Sequence, residues 1–299
     1  MQESLPLIVD IKTGSTEDGP GIRSAVFFKG CPLHCLWCHN PEAMDPEVEI
    51  GFYPRHCIGC FDCAEACPEG AIIKAENERI NRSRCTRCGI CTEVCPSKAL
   101  RKIGAPYERD ELLEILLRDR VFYEVSGGGV TLSGGEPTLW PEYAGDLLRG
   151  LKQEGVHTAV QTCGHFDYDA FKKEMLPWLD LIMYDLKLIN GQDHLRWTGE
   201  DNQKILENFT RLLGAPVEMI PRIPLIPGFT TSEENLEGIS SFLKDQGVRT
   251  CSLLPNNPLG LAKWDHLGKK RPDLPTTWME NSQKESCHRI YNWADVVSF

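Results

Sequence analysis

The chain has 299 residues, 41% of them hydrophobic, and a formal net charge of −11. That length buries a large core, enough for one barrel-sized domain or two smaller ones. The acid excess speaks against nucleic acid as a partner, and no apolar run reaches the roughly 18 residues of a membrane span, so neither partner is expected. In chain order, the opening MQESLPLIVDIK has no basic region followed by an apolar one. No secretory signal is therefore expected, and the expected location is cytoplasmic. A first strand is predicted over 22–28 (IRSAVFF), and Cys31, Cys35 and Cys38 follow it at once. Further strands are predicted over 129–134, 157–162, 179–187, 217–226 and 250–255. Helices are predicted between them over 138–153, 169–176, 201–213 and 232–246. The last is announced by TTSEEN, with Ser232 or Thr231 ahead of acidic residues as a cap. This alternation predicts an α/β fold of βα units around a parallel sheet. One more helix is predicted over 278–293.

The interval between the first two strands breaks the rhythm. It holds CIGCFDCAEACPEGAI (57–72) and CTRCGICTEVCPSKAL (85–100), an internal repeat that reads as an insertion over 49–104. The remaining segments, 1–48 and 105–299, form the βα architecture. Of 14 cysteines, 11 fall between residues 31 and 95 in three tight clusters, which favours metal ligation over a disulfide framework. Each repeat is C-x2-C-x2-C-x3-C-P, the bacterial ferredoxin run, whose fourth cysteine ligates the other cluster. Crossed ligation assigns Cys57, Cys60, Cys63 and Cys95 to one iron–sulfur cluster, and Cys85, Cys88, Cys91 and Cys67 to a second. Zinc ribbons are the competing reading, but they use two C-x2-C pairs per ion.

Cys31, Cys35 and Cys38 are three close cysteines with no fourth nearby. Taken alone they also suit a structural zinc completed by His34 or His39. Other candidates stand late in the later strands, on the face where a parallel barrel builds its chemistry. Gly134, Gly135 and Glu136 end the second strand, the glycines allowing close approach and the glutamate able to accept from an amine. Asp185 and Lys187 share a face at the end of the fourth, and Arg222 lies in the fifth.

C-x3-C-x2-C with Trp37 before the third cysteine, followed by Gly-Gly-Glu-Pro, resembles the radical S-adenosylmethionine (SAM) enzymes. DGPGIRSAVFFKGCPLHCLWCHNPE (18–42), SGGEPTL, QTCG and DLK resemble, more narrowly, the activating enzymes of glycyl radical enzymes. The double ferredoxin run resembles the larger members of that family. The resemblance implies a partial parallel (β/α)6 TIM-like barrel, the radical SAM core, with an inserted small α+β ferredoxin-like domain. It implies three 4Fe-4S clusters, one of them binding SAM through an open iron held by Cys31, Cys35 and Cys38. Reductive cleavage of SAM then yields methionine and a 5′-deoxyadenosyl radical, which takes hydrogen from a glycine of a partner glycyl radical enzyme. The implied SAM contacts are Trp37, Cys38, His39, Gly134, Gly135, Glu136, Asp185, Leu186, Lys187, Arg222 and Asn257. The run Asp18 to Arg23 is expected beside the site, towards the partner's glycine loop. The implied electron donor is a low-potential flavodoxin or ferredoxin.

Two departures stand out. Asn257 replaces a SAM-contacting histidine of the shorter activases. Gln161 stands where relatives often carry an acid that helps bind a monovalent cation, which weakens the case for that cation. Cys163, Cys251 and Cys287 have no ligand spacing and are assigned no chemistry. His157, His165 and His194 read as structural or surface residues. The competing functions are a radical SAM enzyme acting on another substrate and a ferredoxin-type electron carrier. DGPGIR argues against the first; SGGEP and DLK argue against the second.

Overall fold

The computed structural model describes residues 5–75 and 78–298. Its strands are β1 (Leu7–Ser15), β2 (Arg23–Phe28), β3 (Glu49–Phe52), β4 (Leu100–Ile103), β5 (Ala105–Pro106), β6 (Gly129–Gly134), β7 (His157–Thr162), β8 (Leu181–Asp185), β9 (Glu218–Leu225), β10 (Thr250–Pro255) and β11 (Asp295–Val296). The helices are α1 (Asp62–Glu65), α2 (Ile90–Glu93), α3 (Arg109–Leu117), α4 (Arg120–Ser126), α5 (Pro141–Gln153), α6 (Tyr168–Glu174), α7 (Gly191–Thr198), α8 (Gln203–Leu212), α9 (Glu233–Asp245), α10 (Leu261–His266) and α11 (Asn281–Ile290).

Nine strands form one sheet in the order β11-β10-β9-β8-β7-β6-β2-β1-β5. Its middle six, β2, β6, β7, β8, β9 and β10, are all parallel, as the expected partial barrel requires. Alternation along these strands sorts the side chains. Val26, Phe28, Val130, Leu132, Val160, Ile182 and Tyr184 enter the main core with the helices. Ala159, Leu181, Met183 and Ile220 form a separate apolar group. The register aligns the strand ends that matter: Phe28 with Gly134, Thr162 with Tyr184, and Asp185 with Arg222.

All six strands predicted from sequence occur within about two residues of their expected limits. The cap of α9 is Ser232, which accepts from the Asn235 N–H, while Leu236, Ile239 and Leu243 give the helix its buried face. Sequence reading passes over β1, whose LIVDIKTGS buries only Ile8 and Ser15 and carries little alternation of burial. It pairs antiparallel with β2 and extends the sheet past the parallel set. The helices α3, α4 and α7 were likewise not anticipated. β3 and β4 pair antiparallel, Glu49 with Ile103 and Phe52 with Leu100, and both cysteine repeats lie on the chain between them. A second small core there gathers Ile50, Phe52, Cys63, Ile80, Cys91, Ala99 and Leu100.

Candidate active site

The loop after β2 carries Cys31, Cys35 and Cys38 and is held from two sides by backbone hydrogen bonds. Gly30 and Cys31 donate to Ala43 O (2.8 Å) and Met44 O (3.1 Å). His34 and Leu36 donate to the last carbonyls of α7, Thr198 O (2.6 Å) and Trp197 O (3.2 Å). A helix C-terminus presents unpaired carbonyls, and here they seat the cysteine loop. The end of β6 packs on the other side. A Cβ on Gly135 would fall 2.1 Å from Gly30 O, and Gly134 has φ +102° with Phe28 N only 2.5 Å from a built Cβ. Sequence reading gives these glycines to ligand approach; the end of β2 already excludes a side chain at Gly134, and the start of the cysteine loop does so at Gly135. Burial pushes the Cys38 thiol up to about 12 and Cys35 higher still. Thiolates there would need a neighbouring positive charge, as a bound metal ion supplies, since metal ligation requires deprotonated sulfur.

Glu136 is fully shielded from solvent. Its carboxylate accepts from Thr138 Oγ1 (2.8 Å) and N (3.3 Å), Thr162 Oγ1 (3.0 Å) and Cys163 N (2.7 Å). A carboxylate has about four acceptor sites, so protein donors occupy those expected to meet an amine. Glu136 thus ties the end of β6 to the end of β7. The same tie brings Cys163, unassigned in sequence, close to Cys31 of the cysteine loop, and that neighbour and burial hold its thiol protonated.

Asp185 accepts from Lys187 Nζ (3.0 Å) and from Arg222 Nε (2.9 Å) and Nη2 (2.8 Å). Burial opposes its ionisation, yet Arg222 and Lys187 hold its pKa below the ordinary value. Two largely buried cations share one anion, leaving one surplus positive charge close enough to Cys35 and Cys38 to act on both thiols. Leu186 differs from the others: its side chain joins the main core and its N–H bonds Arg222 O (2.9 Å). Trp37 packs 5.9 Å from Phe229, which meets Trp197 edge-on at 5.0 Å, forming an aromatic wall. His39 lies against Gly260, with Asn257 close by. Burial, with Lys263 nearby, lowers its pKa and favours the neutral ring. Lys263 of α10 reaches Asn40 Oδ1 (2.9 Å) and Glu42 Oε1 (2.7 Å), a brace on the cysteine loop that sequence reading missed.

Within the run Asp18 to Arg23, the last residue departs from the expected place beside the site. Arg23 is fully buried at the start of β2, bonding Thr131 Oγ1 (2.7 Å) and Val130 O (2.8 Å) beside His157. These partners lie towards the starts of β6 and β7, whereas the cysteines follow the end of β2, so Arg23 is sealed from any protein partner. Desolvation lowers its pKa to about 10. Asp18 accepts from Ser15 Oγ (2.5 Å) and Gln161 Nε2 (3.0 Å), while Gln161 Oε1 accepts from Ser133 Oγ (2.6 Å). The neutral Gln161 amide therefore donates to a carboxylate that an acid at 161 would repel.

Between β3 and β4 lie two small cavities of similar size. One is lined by Cys57, Cys60, Cys63 and Cys95; the other by Cys67, Cys85, Cys88 and Cys91. Each joins three cysteines of one repeat to the fourth of the other, and four thiolates around a cavity fit a cubane cluster. Among the described residues a larger groove runs between α9 and α11, lined by none of the predicted site residues.

A family model described as "4Fe-4S single cluster domain" matches residues 17–206. The chain is 40% identical over 271 residues to the trans-4-hydroxy-L-proline dehydratase activating enzyme of Clostridioides difficile, covering 89% of both chains. It is 39% identical over 304 residues to the choline trimethylamine-lyase activating enzyme of Oleidesulfovibrio alaskensis, covering 98% of both. The chain belongs to the activating enzymes of glycyl radical enzymes. The isethionate sulfite-lyase activating enzyme of Nitratidesulfovibrio vulgaris is 41% identical over 272 residues, 88% of both chains. This activating enzyme is thus a radical SAM oxidoreductase that contains iron–sulfur chemistry and uses SAM to generate a radical on a glycyl radical enzyme. No helix among its described residues is long and apolar enough to cross a membrane.

Proposed function

We propose that this activating enzyme holds three 4Fe-4S clusters, with the SAM-binding one on Cys31, Cys35 and Cys38 and two in an inserted domain over 49–104. The observation that carries the reading is the surplus charge of Lys187 and Arg222 over Asp185, beside three thiols with no fourth cysteine in their loop. When bound, the open cluster supplies the electron that cleaves SAM. The residues around it bind and orient. Lys187, with Arg222 behind it, takes the SAM carboxylate, and Asp185 holds both cations in place. Trp37 and Phe229 exclude water from one side, and neutral His39 and Asn257 offer hydrogen bonds on another. Gly134 and Gly135 keep the β6 end close to the cysteine loop, and Glu136 locks that end to β7. A low-potential flavodoxin or ferredoxin in the cytoplasm supplies electrons through the inserted domain. The chemical identity of the partner follows from which glycyl radical enzyme acquires a glycyl radical signal when mixed with this protein, SAM and reductant.

Replacing Cys31, Cys35 or Cys38 by Ala tests the open site. Each variant is expected to lose about four irons, one cubane's worth, and all SAM cleavage. Retained cleavage, or loss of all iron, overturns the assignment. Cys95→Ala tests crossed ligation: damage is expected at the cluster of Cys57, Cys60 and Cys63. That variant should still cleave SAM once with a strong small reductant and be slow with a protein donor. Equal rates with both reductants would remove the relay role.

A further inference from the structure

The two cavities between β3 and β4 come from one repeated motif and match in size, so similar surroundings would give their clusters similar potentials. The surroundings differ. Arg79 lines the Cys57/Cys60/Cys63/Cys95 cavity and is only 6% exposed. Its Nη2 donates to Cys57 Sγ (3.5 Å), and its guanidinium stacks at 4.6 Å on Phe61 and 5.3 Å on Phe52. Its Nε is buried with no hydrogen-bond partner among the described residues. A buried guanidinium N–H costs free energy unless an acceptor meets it, and inorganic sulfide is such an acceptor.

The repeat supplies a second difference. Position 97, two residues after Cys95, is Ser, and its hydroxyl lies 3.7 Å from Cys95 Sγ. The matching position after Cys67 is Glu69, an exposed acid on the rim of the other cavity. Around that cavity Cys67 Sγ accepts from Ala71 N (3.3 Å). Arg82 lies near Cys85, but its Nη1 is committed to Ile50 O (2.6 Å), and it does not line the cavity.

We propose that Arg79, assisted by Ser97, makes the Cys57/Cys60/Cys63/Cys95 cluster the more easily reduced of the pair and the holding site for the donor's electron. Reduction adds a negative charge to a cluster. Hydrogen bonds to its sulfurs and a neighbouring cation stabilise that charge and raise the potential. Glu69 acts in the opposite sense at the other cluster. Arg79 is thus a positioning and tuning residue for electron delivery, a role that rests on the two-cluster reading of the insert.

The test is a redox titration of the anaerobically reconstituted full-length protein, followed by electron paramagnetic resonance, with iron analysis alongside. Cys95→Ala identifies the signal of the Arg79-lined cluster by its loss. Wild type is expected to reduce that cluster first. Arg79→Gln is expected to disfavour its reduction about tenfold, a shift of about 59 mV for one electron. Arg79→Lys, which keeps the charge, should shift less, and Ser97→Ala should move the same signal in the same direction. Should Arg79→Gln lose the cluster, the last two variants still decide. An unmoved potential in Arg79→Gln with full iron overturns the proposal, as does a wild type in which the other cluster reduces first. A fully reconstituted wild type with irons for only one or two of the three cubanes overturns the underlying two-cluster reading of the insert instead.

Discussion

Lys187 and Arg222 compete for one carboxylate, and the outcome sets how this site treats an anionic ligand. Asp185 neutralises one of them, so removing Lys187 leaves a neutral pair where SAM needs a cation. A charged hydrogen bond of this kind contributes about 1.5–3 kcal/mol, or roughly one to two decades in affinity. Lys187→Ala is therefore expected to raise the SAM dissociation constant by that factor in a calorimetric titration. Unchanged affinity would reduce Lys187 to a partner of Asp185. Glu136 carries a different lesson. Its four protein donors make it a fastener between strands, and Glu136→Gln leaves one oxygen to serve them. The loss expected is about 1–3 kcal/mol of stability, measured by denaturant unfolding. A change within error would show that the loop closes without it.

At the scale of an element, α7 matters beyond its eight residues. Its last carbonyls hold His34 and Leu36 in the loop of Cys31, Cys35 and Cys38, and its own end is organised by His194. The His194 ring donates through Nδ1 to Glu200 O (2.6 Å) and lies 2.9 Å from Thr198 Oγ1. Burial lowers its pKa to about 4 from an ordinary 6.5. The unfolded chain binds this proton first on acidification. The stabilisation is therefore complete above about pH 6.5 and is lost as pH falls towards 4, by roughly 3 kcal/mol in all. Thermal unfolding of wild type should weaken more steeply than that of His194→Gln between about pH 7 and about pH 5. Parallel profiles would exclude His194 as the origin.

For the whole molecule, the decisive contact is where β3, which leads into the cysteine repeats, meets the main sheet. Lys29, one residue past β2, is fully buried and bonds Glu49 (2.8 Å), the first residue of β3; Lys269 takes the other Glu49 oxygen (2.8 Å). Burial lowers the Lys29 pKa while Glu49 opposes that shift. Breaking such a pair leaves a buried charge unmatched and costs about 3–5 kcal/mol. Glu49→Gln is expected to lose stability of that order in denaturant unfolding. A loss under about 1 kcal/mol would assign the docking to the surface contacts of Tyr53 with His266 and Arg87 with Glu47.

Cysteine spacing, the six parallel strands and the acid–base pair at Asp185 and Lys187 were legible from sequence because each is local. Strands announce themselves by apolar runs, and ligand sets by separations of two or three residues. Crossed cavities followed too, since a repeat names its own counterpart. The folded structure alone decided the rest. Gln161 meets Asp18 across 143 positions, Arg23 meets Thr131 across 108, and Lys263 meets Asn40 across 223. No periodicity encodes such pairs. Cys163 gained a place against Cys31 only because Glu136 binds the strand end before it. Arg79, between the two repeats, carries no signal in the sequence; only folding closes a cavity around it. Sequence patterns report what neighbours along the chain can do; burial and long-range closure determine which polar group is left to face which sulfur.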